Sequence, residues 1–318
     1  MSTMNRILII DGNLLVHKSY VIYKALSVQF GGDRIMTGVP YGFIKSLIRL
    51  NRLYLPCQTC VVFDNSMNVT IRRHEEGDVL SNRKEIDPEY KADRKFDESM
   101  YGGVRILYRF LRQMGVTIVY PSERYEADDV IAYVEAEALK TNMRVGKPSD
   151  VMIVSEDKDF HQLIKKIEGY QVRMHKKGDV IWDKRVFYRK FGCDPSGFMI
   201  YLALLGDDTD NIKGVRGYGR IRARKLAVSR DVEEIIKLLD PEQREIFLKN
   251  ISLISLNSMK SSVSAVHACR FNRDMFNHLA LKYKMTSFLK VEEQEILGRM
   301  KRVKILEGFS HDVVPPET

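Results

Sequence analysis

Four short apolar runs in the first two-thirds of the chain end on acidic or turn-forming residues. Ile7-Leu8-Ile9-Ile10 stops at Asp11-Gly12-Asn13, and Cys60-Val61-Val62-Phe63 runs into Asp64. Val116-Thr117-Ile118-Val119 precedes Glu126, and Val151-Met152-Ile153-Val154 is followed by Glu156-Asp157-Lys158-Asp159. Continuous rather than alternating hydrophobicity predicts strands buried on both faces, as in a parallel sheet. Between the runs the period lengthens. Phe43, Leu47, Leu50 and Leu53 recur at helical spacing between Pro40 and Pro56, and helices are predicted over 104–114 and from Glu126 onward. Alternating strands and helices predict an α/β fold with a central, mostly parallel sheet, whose ligands bind outside the carboxyl ends of the strands. Asp11, Asp64 and Asp157 stand at those ends.

The pattern breaks twice. From about 65 to 103 the periodicity gives way to a charge-dense stretch with Arg72, Arg73, Arg83, Lys84, Lys91, Arg94 and Lys95, which reads as a functional insertion. Beyond Asp183 helical patterns dominate, so two units are expected: an α/β unit over 1–182 and a helical subdomain over 183–318. Trp182, after the Lys177-Gly178-Asp179 turn, is expected to pack in a hairpin.

Composition narrows the class. With 318 residues, 44% hydrophobic and 29% charged, the chain can bury a substantial core and is too apolar to be disordered. Four cysteines are too few for a disulfide framework, and Cys57-Gln-Thr-Cys60 has no second pair to complete a zinc site. No run is long enough to span a membrane and no signal-peptide core precedes Ile7, so a cytoplasmic protein that does not engage a membrane is expected. The net charge of +9 suits a polyanionic partner. The acids, however, are clustered: Glu126, Asp128 and Asp129 in one group, Asp157 and Asp159 in another, Asp207 and Asp210 in a third. Each group alone has an ordinary explanation as a helix start or a solvated turn. Brought to one sheet edge with Asp11 and Asp64, they would repel unless cations neutralised them. All-oxygen donors favour Mg²⁺ or Mn²⁺, and two such ions serve phosphodiester chemistry with no side-chain nucleophile.

The succession Ile10-Asp11-Gly12-Asn13, Phe63-Asp64, Glu89-Tyr90-Lys91-Ala92-Asp93-Arg94, Tyr125-Glu126-Ala127-Asp128-Asp129, Ser155-Glu156-Asp157-Lys158-Asp159 and Gly206-Asp207-Asp208-Thr209-Asp210-Asn211 resembles the 5′-nuclease family over about residues 5–230. That family comprises flap endonucleases, the 5′-nuclease domain of bacterial DNA polymerase I and stand-alone phage enzymes. The resemblance implies a PIN-like domain and two Mg²⁺ ions, for which Mn²⁺ substitutes. Asp11, Asp64, Glu126 and Asp128 would serve the first ion, and Asp157, Asp159 and Asp207, supported by Asp129 and Asp210, the second. It makes the insertion a helical arch in which Lys91 faces the scissile phosphate, Arg83 and Arg94 assist as basic catalytic positions, and Tyr90 stacks on a base. Glu156 replaces a small residue of the motif and is not expected to be a ligand.

Lys213, Gly214, Gly217 and Gly219, followed by Arg220, Arg222 and Arg224, resemble a helix-hairpin-helix element over about 197–228 that binds DNA phosphates through backbone amides. In the family such a hairpin often carries K⁺. A lysine usual after the last glycine is Ile221 here. The implied enzyme is a monomeric, structure-specific 5′ nuclease in replication and repair, leaving 5′-phosphate and 3′-hydroxyl ends. Its expected substrates are branched, nicked, 5′-flap or RNA-primed DNA, with replication proteins as candidate partners, in a bacterial cytoplasm or that of a phage host. A non-catalytic fork-binding relative would lack the second acid group, and a PIN-type ribonuclease would not need both arch and hairpin.

Overall fold

The computed structural model describes residues 5–30, 32–55, 58–67, 81–91, 100–122, 124–229, 231–256 and 258–309. Asn5–Asp11 (β1) forms its centre, and Ile7, Leu8, Ile9 and Ile10 are completely buried. In chain order follow Gly12–Tyr23 (α1), Ser27–Phe30 (β2), Asp33–Met36 (β3), Gly38–Tyr54 (α2), Gln58–Val62 (β4), Asn82–Ile86 (α3), Met100–Leu111 (α4), Thr117–Pro121 (β5), Ala127–Val145 (α5) and Ser149–Val154 (β6). The chain continues through Lys165–Ile167 (β7), Tyr170–Lys176 (β8), Val180–Trp182 (β9), Lys184–Phe191 (α6), Phe198–Leu205 (α7), Arg220–Ser229 (α8), Val232–Leu238 (α9), Pro241–Ile254 (α10), Val263–Ala268 (β10), Arg273–Lys282 (α11) and Val291–Arg299 (α12).

β5, β4, β1, β6 and β8 lie side by side in that order and run parallel. Antiparallel partners finish both edges: β10 beside β5, and β7 and β9 beside β8. Because β1 is buried on both faces, alternate residues feed two cores. Ile7 and Ile9 pack with Val130 and Val134 of α5, Phe198 of α7 and Phe247 of α10. Leu8 and Ile10 pack with Phe43 and Leu47 of α2, Leu107 of α4, Phe276 of α11 and Leu297 of α12. The parallel strands open their carboxyl ends on one edge, and after β4 and β5 on one side of β1 the chain crosses to β6 on the other, so that β1 marks the place where such sheets bind ligands.

The expected alternation is present, and Trp182 does lie in an antiparallel hairpin, opposite Met174. One boundary differs. The segment after α10 does not stay with the helical unit: β10 joins the main sheet, and α11 and α12 complete the second core. The helical subdomain is therefore inserted between two parts of the α/β body rather than appended to it. The short hairpin of β2 and β3 is a further element that the hydrophobic pattern does not announce. Among the described residues no helix is long and apolar enough to cross a membrane.

Candidate active site

Each strand end delivers an acid by a different local device. Asp11 closes β1 and caps α1, its Oδ1 accepting from Leu14 N at 3.0 Å and its Oδ2 from Ser155 Oγ at 2.8 Å. Gly12 permits this: a Cβ there would lie 2.6 Å from both Val62 O and the Phe63 ring, so only glycine lets α1 start against the end of β4. Asp64 accepts from Ala127 N at 2.7 Å, tying β4 to the start of α5, and Asn13 clamps it by donating from Nδ2 to its Oδ2 while accepting from its backbone N–H. The sequence offers Asn13 only a turn-forming role, whereas the structure makes it part of the site. Its position one residue past Gly12 in the first motif is the available signal.

The loop after β6 is cross-linked in the same way. Asp157 N donates to Ser155 Oγ at 3.1 Å, and Asp159 N donates to Asp157 Oδ1 at 2.9 Å. Asp207 and Asp210 are buried in the hairpin after α7, where Asp207 Oδ1 accepts from Thr209 N at 2.9 Å. Gly206 and Gly214 bring the two sides of that hairpin together, since a Cβ on Gly214 would meet Leu205 O at 2.1 Å. Asp11, Asp64, Glu126, Asp128, Asp157 and Asp210 line one cleft of about 570 Å³, with Lys91 and Lys158.

Crowding and burial act on these groups as electrostatics requires. Burial, then the charges of Asp64 and Asp157, raises Asp11 to about 6, although its two hydrogen bonds oppose the shift. Burial and the carboxylates of Asp157, Asp210 and Asp207 push Asp159 to about 8. Asp128 is raised by burial and by Asp157, Glu126 and Asp64 against the pull of Lys91. Asp159 Oδ1 and Asp207 Oδ2 are buried and have no hydrogen-bond partner. Buried acceptors without partners are costly, and acid groups that resist ionisation together are those a hard cation would stabilise. The residues present thus fit divalent ions in donor chemistry. Among the described residues no three potential ligands are yet drawn together closely enough to hold an ion.

Three expected residues have different surroundings from those the sequence suggests. Asp129 turns away from the cleft and forms a two-pronged ion pair with Arg83 at 2.8 and 3.0 Å. Arg83 is itself buried and also donates to Leu253 O and Ser255 O, joining α3, α5 and the end of α10, with its guanidinium 3.4 Å from the cleft acid Glu126. Tyr90 is buried in the first core and has no free face for a base. In each case a charge-dense sequence looks solvated, whereas the chain turns part of it inward. Lys91 does reach the cleft, 2.7 Å from Glu126 Oε2 and 3.8 Å from Asp128. Arg94 lies outside the described residues.

α7 and α8 flank the predicted hairpin. Lys213, Gly214, Gly217, Gly219, Arg220, Arg222 and Arg224 are exposed there, with Gly217 at φ +85° and Arg222 stacked 4.1 Å above the Tyr218 ring. The same hairpin carries Asp207 and Asp210 at its base, so its basic surface is joined directly to the cleft.

The family described as 5′-3′ exonuclease, N-terminal resolvase-like domain, matches residues 6–192. The chain belongs to the 5′-3′ exonuclease family. Its similarity to curated members extends beyond that domain: it is 30% identical to a 5′-3′ exonuclease of Aquifex aeolicus over 244 residues, 76% of each chain. It is 31% identical to the flap endonuclease Xni of a Shewanella species over 228 residues, 70% of this chain and 74% of that one. Among solved structures, a bacteriophage T5 flap endonuclease in complex with DNA and metal ions shares the fold with a TM-score of 0.58 at 18% identity, covering 87% of this chain and 97% of the other. The chain is a structure-specific 5′ nuclease with a PIN-like α/β fold.

Proposed function

We propose that this 5′-3′ exonuclease-family chain hydrolyses phosphodiesters of nicked, 5′-flap and RNA-primed DNA with two Mg²⁺ ions, Mn²⁺ substituting. The observation that carries the reading is a single cleft lined by acids from β1, β4, α5, the β6 loop and the α7–α8 hairpin, beside two buried carboxylate oxygens without partners. Asp11, Asp64, Glu126 and Asp128 would hold one ion, and Asp157, Asp159 and Asp207, supported by Asp210, the other. When bound, the ions supply an activated water and charge stabilisation for the departing oxygen. The chain's own residues do the rest. Ser155, Asn13 and the start of α5 fix the orientation of Asp11 and Asp64. Lys91 offers a cation to the scissile phosphate, and the arginines of α8 grip duplex phosphates without reading sequence.

End-labelled flap, nicked, single-stranded and RNA-primed substrates, run on gels with and without Mg²⁺, test the reading. Asp157→Asn and Asp207→Asn are expected to abolish cleavage while leaving flap-DNA binding within about threefold, because affinity comes from cationic side chains on phosphates. Full activity in either variant would exclude the second carboxylate group from catalysis.

A further inference from the structure

Each of the two carboxylate groups is matched by one lysine. Lys91 Nζ bridges Glu126, at 2.7 Å, and Asp128, at 3.8 Å, with its side chain only 11% exposed. Its backbone is held left-handed at φ +53°, and the foot of the insertion is latched to the acid hairpin through Lys91 N to Asp210 O at 3.4 Å and Asn211 Nδ2 to Glu89 O at 3.2 Å. Lys158, between Asp157 and Asp159, donates to Oδ1 of the fully buried Asp207. Neither is a surface ion pair of the weakly coupled kind, because Asp207 is fully buried in one and every side chain of the other is less than a fifth exposed.

We propose that Lys91 and Lys158 are built-in counter-ions that compete with divalent cations for the two carboxylate groups, so that metal loading releases both ammonium groups into the cleft. This rests on the assignment of those carboxylates as the metal-binding groups. An ammonium and a divalent ion drawn to the same carboxylates repel each other at close range. The divalent ion brings twice the charge and displaces the lysine, whose four-carbon stem keeps its head within the cleft. A released ammonium is then available to a phosphate, and linkage requires the converse. A phosphate that draws the lysines off the carboxylates tightens metal binding by the same factor. Lys158 thereby becomes a positioning residue for Asp207, and metal occupancy and cation presentation become one equilibrium.

Calorimetric titration of Mn²⁺ into the full chain without nucleic acid tests this, comparing the parent with Lys91→Met, Lys158→Met and, as an exposed control, Lys140→Met. Removal of either counter-ion is expected to tighten one class of sites about tenfold, or about 1.4 kcal/mol, with the control unchanged. Unchanged or weaker binding in both cleft variants would overturn the competition while leaving the metal site standing. A parent that bound no Mn²⁺ would overturn both. In the unmodified parent, acetylation by acetic anhydride followed by mass spectrometry reads the same exchange without any substitution. Lys91 and Lys158 should react faster, relative to Lys140, at saturating Mn²⁺ than in its absence, and an equal or slower rate would refute their release.

Discussion

Arg83 shows how much one buried charge can organise. Burial disfavours its guanidinium, yet Asp129 and Glu126 more than compensate and keep it charged. Arg83→Ala leaves the Asp129 carboxylate buried without its partner, so urea denaturation should register a loss on the order of 3–5 kcal/mol. Pairing it with Asp129→Ala should recover part of that loss, since the stranded charge is gone; additive losses would mean that the two side chains act separately. His175 gives a pH-dependent counterpart. It is buried between the Tyr54 hydroxyl, at 2.8 Å, and Asp179, at 3.2 Å. Burial lowers its proton affinity below the ordinary 6.5; Arg49 and Lys18 add to this, while Asp179 and Glu156 oppose it. The unfolded chain therefore takes up the proton first, and the contribution of the neutral ring is present above about pH 6.5 and lost as pH falls below it. The melting-temperature gap between parent and His175→Gln should accordingly narrow from pH 8 to pH 5.5. A constant gap would show that the ring does not titrate differently on folding.

At the scale of elements, what can be read in advance follows from how each segment is buried. β1, β4, β5 and β6 are legible because strands covered on both faces need unbroken apolar runs, and their acids stand where such strands end. β10 is not: Val263-Ser-Ala-Val-His-Ala268 mixes polar and small residues, and becomes a strand because the edge of β5 offers it hydrogen-bond partners. The acid cleft is legible as a set of motifs, but not the Asn13 clamp or the Lys158 ion pair, which depend on which side chains meet across the sheet edge. The hairpin between α7 and α8 is legible from its glycines, and its basic face carries a prediction. Arg220→Ala with Arg222→Ala should weaken duplex binding across sequences and lower the slope of log affinity against log salt by about one for each phosphate no longer gripped. Fluorescence anisotropy from 50 to 200 mM salt measures it, and an unchanged slope with intact folding would move the duplex-binding face elsewhere.

The whole molecule is closed by its later residues. β10 covers the β5 edge, Val303 and Leu306 enter the first core, and Phe276 and Leu297 enter the second. Ending the chain at 262 keeps every acid of the cleft yet exposes an unpaired strand and parts of two cores. Such a fragment should lack a cooperative thermal transition and elute as aggregate on size exclusion. A sharply melting monomer would show the α/β body to be complete without that return. The same connectivity orders events during synthesis. A ribosome that has just released Asp210 has made every carboxylate of the cleft, but the sheet that aligns them still lacks its outer strand and parts of both supporting layers. If the chain ended at 262 fails to fold as expected, the growing chain carries its acids without an assembled cutting centre until the residues that complete the sheet emerge.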